Sequence, residues 1–202
     1  MSKTRVEAFS DGVIAIAITL LILEIKVPEG AGQDLPRQLA DQWPSYVSYV
    51  VSFFVIGVIW LNHHALFMHI GRVDRTLTAL NLVLLFSVAL IPWPTHLLAA
   101  YMQEGGDAER VAALIYSATM LLMGASMGAI WMYASRDRRL LGSDLTDDEI
   151  RARTRSFTIG APLYLVALVV AVFSAPLCLA INALLAVYYA APGLGMMRHP
   201  EP

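Results

Sequence analysis

Asp11 stands at the start of a long apolar run, in the sequence Phe9-Ser10-Asp11-Gly12. A carboxylate inside a membrane segment costs several kcal/mol if it is buried unpaired, so Asp11 needs a hydrogen-bonding partner or a wet cavity. Arg5 and Ser10 are candidates on its own segment. Its chemistry is either that of a proton or ion site or that of a network tying helices together. The position near one end of the run, where water is closer, favours the network. A second apolar run carries Trp60, Asn62, His63 and His64, and a third carries Asn81. Trp60 and His64 are at i and i+4 and share a helix face, whereas His63 points about 100° away. Imidazole is a common metal ligand and a pH-sensitive group. A metal site, however, needs three or four convergent ligands. Adjacent histidines do not face one ion easily, and no carboxylate lies one turn from either, so neither a metal nor any other cofactor is expected. Enzymatic chemistry finds little support: no nucleophile has a neighbouring base, HExxH and phosphate-binding glycine loops are absent, and only Asp11 and His64 could serve intramembrane catalysis.

These residues must be held by membrane helices. Of the 202 residues, 57% are apolar and 15% charged, with a mean hydropathy of +0.61, against about 25% charged in an average globular chain. Six apolar stretches are marked at roughly 9–27, 44–70, 77–101, 111–133, 157–173 and 177–191. Their lengths predict an all-α membrane protein with six transmembrane helices in one domain spanning 1–202. The first stretch ends in Leu23-Glu24-Ile25-Lys26-Val27-Pro28, which offers no small-x-small cleavage site, and is read as a retained span. Among the fourteen Lys and Arg residues only Lys26, Arg37 and Arg110 fall on one side. The others, including Lys3, Arg5, Arg72, Arg75, six arginines of the loop from Arg136 to Arg155, and Arg198, place both termini in the cytoplasm by the positive-inside rule. The expected location is the inner (plasma) membrane. A net charge of -2 leaves no basic excess for a phosphate backbone, so nucleic acid is not an expected partner. The one cysteine, Cys178, forms no intrachain disulfide.

Local signals refine this outline. Thr146 followed three residues later by Glu149 predicts a capping box. Leu35, Leu39 and Trp43 suggest a short interfacial helix, and Pro92, Trp93, Pro94 and His96 a bend. Pro176 should open the last helix, where Asn182 is expected to bond a neighbouring helix. Gly124, Ala125, Gly128 and Ala129 permit close helix approach. No internal repeat is visible, so any pore symmetry must come from subunits. In the first helix Ile16, Leu20 and Leu23 form a stripe at i, i+4 and i+7, with Gly12, Thr19 and Val27 near it. Apolar residues surround any membrane helix, so the stripe alone does not separate a lumen from lipid or helix packing.

The string Arg5-Val-Glu-Ala-Phe9-Ser10-Asp11 matches an RxxxFSD signature and resembles the transmembrane-protein-175 family of potassium channels, in particular its six-helix bacterial members. Asp11-Gly-Val-Ile-Ala-Ile-Ala-Ile, Lys26-Val-Pro28, Trp60 with His63-His64, and Asn81-Leu82 extend the likeness. The resemblance implies a homotetramer in the lipid bilayer whose first helices line a central pore. Large apolar side chains form its constriction, with no carbonyl filter loop. No TVGYG-like loop occurs in the chain, and no voltage-sensing arginine series. Carried over, the constriction is Ile16, with Leu20 and Leu23 further out and Thr19 near the same lumen. The implied interhelical network is Arg5, Phe9, Ser10 and Asp11 with Trp60, His64 and Asn81. Potassium is the implied permeant ion, with other monovalent cations or protons left open. A proton-coupled transporter using Asp11 and His64 is the alternative, although the internal repeats and broken helices usual in transporters are missing.

Overall fold

Prolines punctuate the chain. Pro36, Pro44, Pro92, Pro94 and Pro176 all stand in the first turn of a helix, where a missing N–H costs no hydrogen bond. The computed structural model describes residues 2–28, 34–142 and 145–190. Arg198 of the tail and the expected helix end at Ala191 lie outside the described residues. The helices are α1 (Lys3–Leu20), α2 (Leu35–Asp41), α3 (Trp43–His69), α4 (Arg75–Leu90), α5 (Pro92–Tyr101), α6 (Gly106–Ser135), α7 (Asp147–Thr158), α8 (Gly160–Ala171) and α9 (Ala175–Ala190). α4 and α5 form one bent span, as do α7 and α8, and with α1, α3 and α6 they make five segments long and apolar enough to cross a membrane. α9, with 16 residues, is a shorter apolar helix. This is a multi-pass, all-helical membrane architecture.

Two of the expected spans differ most from those observed. The first helix starts earlier, at Lys3, and tightens into a 3-10 turn over Leu21–Glu24 before Ile25 becomes extended. The expected span at 157–173 merges with the capped helix before it, and the break between α7 and α8 falls at Ile159. Pro162 explains the break: it offers no N–H to the Thr158 carbonyl four residues earlier, and its ring crowds that group. The capping box of α7 is formed, with Thr146 Oγ1 accepting from the Glu149 N–H and the Glu149 carboxylate accepting from the Thr146 N–H. Asp74 caps α4 by accepting from the Leu77 N–H at 2.8 Å.

α6 is the hub, packing against α4, α5, α7, α8 and α9. Lipid tails are as apolar as leucine, so helices associate through close packing and hydrogen bonds. Gly124 supplies the packing: a Cβ there would lie 2.6 Å from the Tyr164 ring on α8. Trp131 supplies both, stacking on Phe157 with centroids 4.8 Å apart and donating to Thr154 Oγ1 at 2.8 Å. Asn182 departs from its expected role. Its Nδ2 donates to the Cys178 carbonyl of its own helix at 2.9 Å, and the link from α9 to α6 is made instead by Cys178 Sγ and Ser117 Oγ, 2.8 Å apart.

At the arginine-rich end two loops are stapled together by their backbones. Ile70 and Leu141 form an isolated antiparallel bridge, with Gly71 N–H donating to the Leu140 carbonyl at 2.8 Å and Gly142 N–H to the His69 carbonyl at 3.0 Å. The Arg72 guanidinium adds two bonds to the Arg139 carbonyl.

Candidate functional site

α1 has two opposite faces. Val6, Ser10, Ile14 and Ala17 recur at helical spacing and are buried, where α1 packs on α3 and α4. The face turned away carries Phe9, Ile16, Leu20 and Leu23, exposed by 57%, 62%, 42% and 70%. Gly12 and Thr19 are exposed on it as well. Only 28% of the α1 segment is buried, against 61% of α6. The stripe found from spacing is therefore the face that the chain's own described helices leave open. Thr19 spends its hydroxyl proton inside the helix, donating to the carbonyls of Ala15 and Ile16 at 3.0 and 2.9 Å. What its oxygen can offer outward is lone pairs, an acceptor suited to a cation and not to an anion.

The buried face is fixed by a directed chain of hydrogen bonds. Ser10 Oγ donates to the Val6 carbonyl at 2.8 Å and accepts from Asn81 Nδ2 at 2.9 Å. The Asn81 carbonyl oxygen then faces His63 Nε2 at 3.0 Å. With the Ser10 proton committed to Val6, Asn81 must donate to Ser10 and accept from His63, which makes His63 the Nε2–H tautomer. His63 also stacks on Phe67, with ring centroids 4.4 Å apart. Ser10, His63 and Asn81 are almost wholly buried, where each unmade bond would carry its full desolvation cost. α1, α3 and α4 are tied together by side chains that satisfy one another.

Asp11 lies beside this chain, exposed on the flank of α1, and its Oδ1 accepts from Trp60 Nε1 at 2.9 Å. Of the expected network, Ser10 with Asn81 and Asp11 with Trp60 are brought together. Arg5 and Phe9 are exposed on α1, and Arg5 makes no ion pair among the described residues. His64 is also exposed, and the place foreseen for it is taken by His63. The i, i+4 spacing from Trp60 selected His64, but i, i+3 neighbours also share a helix face. The signal that singles out His63 is its i+4 spacing from Ile59 and from Phe67, both on the buried face of α3. No group of three or more His, Cys, Asp or Glu positioned to hold a metal occurs among the described residues.

A family model described as the endosomal/lysosomal potassium channel TMEM175 matches residues 5–92, the segment holding the α1 stripe and the whole hydrogen-bond chain. A potassium channel of Streptomyces collinus is 49% identical over 186 residues, covering 92% of this chain and 90% of that protein. The chain belongs to the TMEM175 family. A crystal structure of a TMEM175 homologue from Chamaesiphon minutus, described as a lysosomal potassium-selective channel homologue, superposes with a TM-score of 0.83 at 39% identity, over 93% of this chain and 96% of that one. The bovine endosomal/lysosomal proton channel TMEM175 is 36% identical over 143 residues, 66% of this chain but 30% of that protein. Within the TMEM175 family, this chain places its signature residues Ser10 and Asp11 on the two hydrogen-bonded contacts of α1 described above.

Proposed function

We propose that the protein is a potassium channel in which four copies surround an axis lined by α1. Six membrane crossings per subunit, α9 being the sixth, leave both termini in the cytoplasm of a cell whose inner membrane holds the tetramer. The observation that carries this reading is the open face of α1, with Ile16 62% exposed opposite a hydrogen-bonded polar seam. Rings of Ile16, Leu20 and Leu23 form the constriction. A narrow ring of aliphatic groups dewets and blocks ions, and admits partly hydrated cations when the helices move apart. Such a ring replaces none of the ion's water oxygens, so it favours potassium, whose hydration is less costly to disturb than that of sodium. The Thr19 ring adds acceptor oxygens at the same lumen. Ser10 and Asp11, with Trp60, Asn81 and His63 in place of His64, hold the α1 helices at their working angle, whereas Arg5 and Phe9 lie exposed on α1. Other monovalent cations and protons are candidate permeants, and the naming of bovine TMEM175 as a proton channel supports testing protons first.

The test is reagent access. In purified protein carrying Cys178→Ser and Ile16→Cys, reconstituted into liposomes, a water-soluble thiol-modifying cation should abolish potassium flux, and Ile14→Cys on the buried face should be insensitive. Unmodified flux in the Ile16→Cys protein, or no potassium flux in the parent protein, overturns the proposal.

A further inference from the structure

Away from α1, four polar side chains from four helices surround one small cavity. Asn62 of α3, Ser156 of α7, Tyr164 of α8 and Tyr189 of α9 line it, with Val58 and Met127 among its apolar walls. Asn62 and Tyr164 are each 4% exposed and Tyr189 is 8% exposed. Among the described residues, the Tyr189 hydroxyl is buried with no hydrogen-bond partner. The side chains of Asn62, Tyr164 and the half-buried Ser156 make no hydrogen bond among the described residues. Folded proteins almost always satisfy buried polar groups, with protein or with ordered water. The room is built in: a Cβ at Gly160 would stand 3.2 Å from the Tyr189 hydroxyl, and one at Gly124 would collide with the Tyr164 ring.

The cavity measures about 30 Å³, whereas one water needs roughly 10–15 Å³ on the same measure and two to four polar partners. We propose that this cavity is a resident water site, holding one or two molecules that hydrogen-bond Asn62, Ser156, Tyr164 and Tyr189. The tyrosine hydroxyls donate to the water, and the water donates to the Asn62 carbonyl oxygen and to Ser156. All four groups are neutral and none is a carboxylate, so the site offers water a full set of partners and offers an ion no counter-charge. Phe157 and Gly160, which flank the proline-induced break at Ile159, are also in its wall. The water thus bridges α3, α8 and α9 beside the point where the backbone bonding of the α7–α8 span is interrupted.

Synchrotron radiolysis tests this on the full-length protein in nanodiscs, because hydroxyl radicals form from waters where they sit and oxidise the side chains beside them. Tyr116 is the internal control, since it is fully buried and its hydroxyl lies 3.3 Å from Ser52 Oγ. Tyr164 and Tyr189 should be oxidised and Tyr116 spared, and Asn62→Leu, which removes one partner and fills space, should lower the oxidation of both to the Tyr116 level. Equal sparing of all three tyrosines in the parent protein overturns the proposal whether or not the variant folds. So does oxidation that persists undiminished in a folded Asn62→Leu protein, which would mean access from bulk solvent. Labelling that changes when potassium is exchanged for a large organic cation would assign the site to an ion and overturn it as well.

Discussion

Asn81 on α4 donates its amide N–H to the Ser10 hydroxyl on α1 at 2.9 Å, while its carbonyl oxygen faces His63 on α3 at 3.0 Å. One side chain thereby fixes the spacing of three helices, and the helix it restrains is the one whose far face is open.

Ser10→Ala leaves an Asn81 N–H buried without an acceptor, so it should lower stability by about 1–3 kcal/mol. Asn81→Leu should cost more, because it leaves the His63 N–H without its acceptor and also removes the bond donated to Ser10. Denaturant titration in detergent, run as a double-mutant cycle on Ser10 and Asn81, measures the coupling between them. Additive losses would mean that the bond contributes nothing. Nitrogen chemical shifts of labelled His63 should report a proton on Nε2.

In the proposed tetramer, Ile16→Asn would replace a ring that repels water with one that holds it. Removing about 1.4 kcal/mol from a permeation barrier raises the rate about tenfold, and the variant should conduct at least that much faster in a liposome flux assay. Unchanged rate and selectivity would show that Ile16 faces acyl chains.

Thr19→Val keeps the shape of the side chain and deletes the outward oxygen. Conduction should persist while the potassium-to-sodium permeability ratio, read from reversal potentials, moves toward unity. An unaltered ratio would leave the aliphatic rings as the whole of the discrimination.

Asp74 titrates outside the membrane spans. The Leu77 N–H, the Tyr133 hydroxyl at 2.7 Å and, more weakly, Arg139 hold its carboxyl below the ordinary carboxylate range, against a smaller opposing effect of burial. A lowered folded-state value means stabilisation that is complete above the unfolded value, about 4, and is lost as the pH falls below it through the folded one. Thermal unfolding of the parent protein should therefore hold steady from neutral pH to about 5 and decline below about 4. Asp74→Asn keeps an N-cap residue but should be less stable at neutral pH and should lose that part of the acid dependence. Identical pH profiles for the two proteins would remove Asp74 as the cause.

Much of this was legible in the chain. Apolar run length gave the spans, Thr146 and Glu149 the start of α7, and the RxxxFSD string the family. The α1 stripe was legible as a pattern but not as a face, because period alone does not say which side a neighbouring helix covers; the burial of Ile14 and Ala17 does. The i, i+4 spacing from Trp60 points to His64, whereas the spacing of His63 from Ile59 and Phe67 puts His63 on the buried face, where Asn81 meets it. The α7–α8 break had a signal, Pro162, that apolar content concealed. The water-sized cavity had none, since its four polar groups come from segments as distant as Asn62 and Tyr189.

The stapling of the two loops at Ile70 and Leu141 is made of peptide groups, so it is indifferent to most of the letters written along it. An alanine scan there would register the buried Ile70 and Leu140 and the Arg72 guanidinium, but not the backbone joint itself. The exception is Gly71, where any side chain would start 3.2 Å from the Gly142 backbone. Chemical surgery on the main chain, such as an ester in place of the Gly142 amide, is the kind of edit that this joint would register.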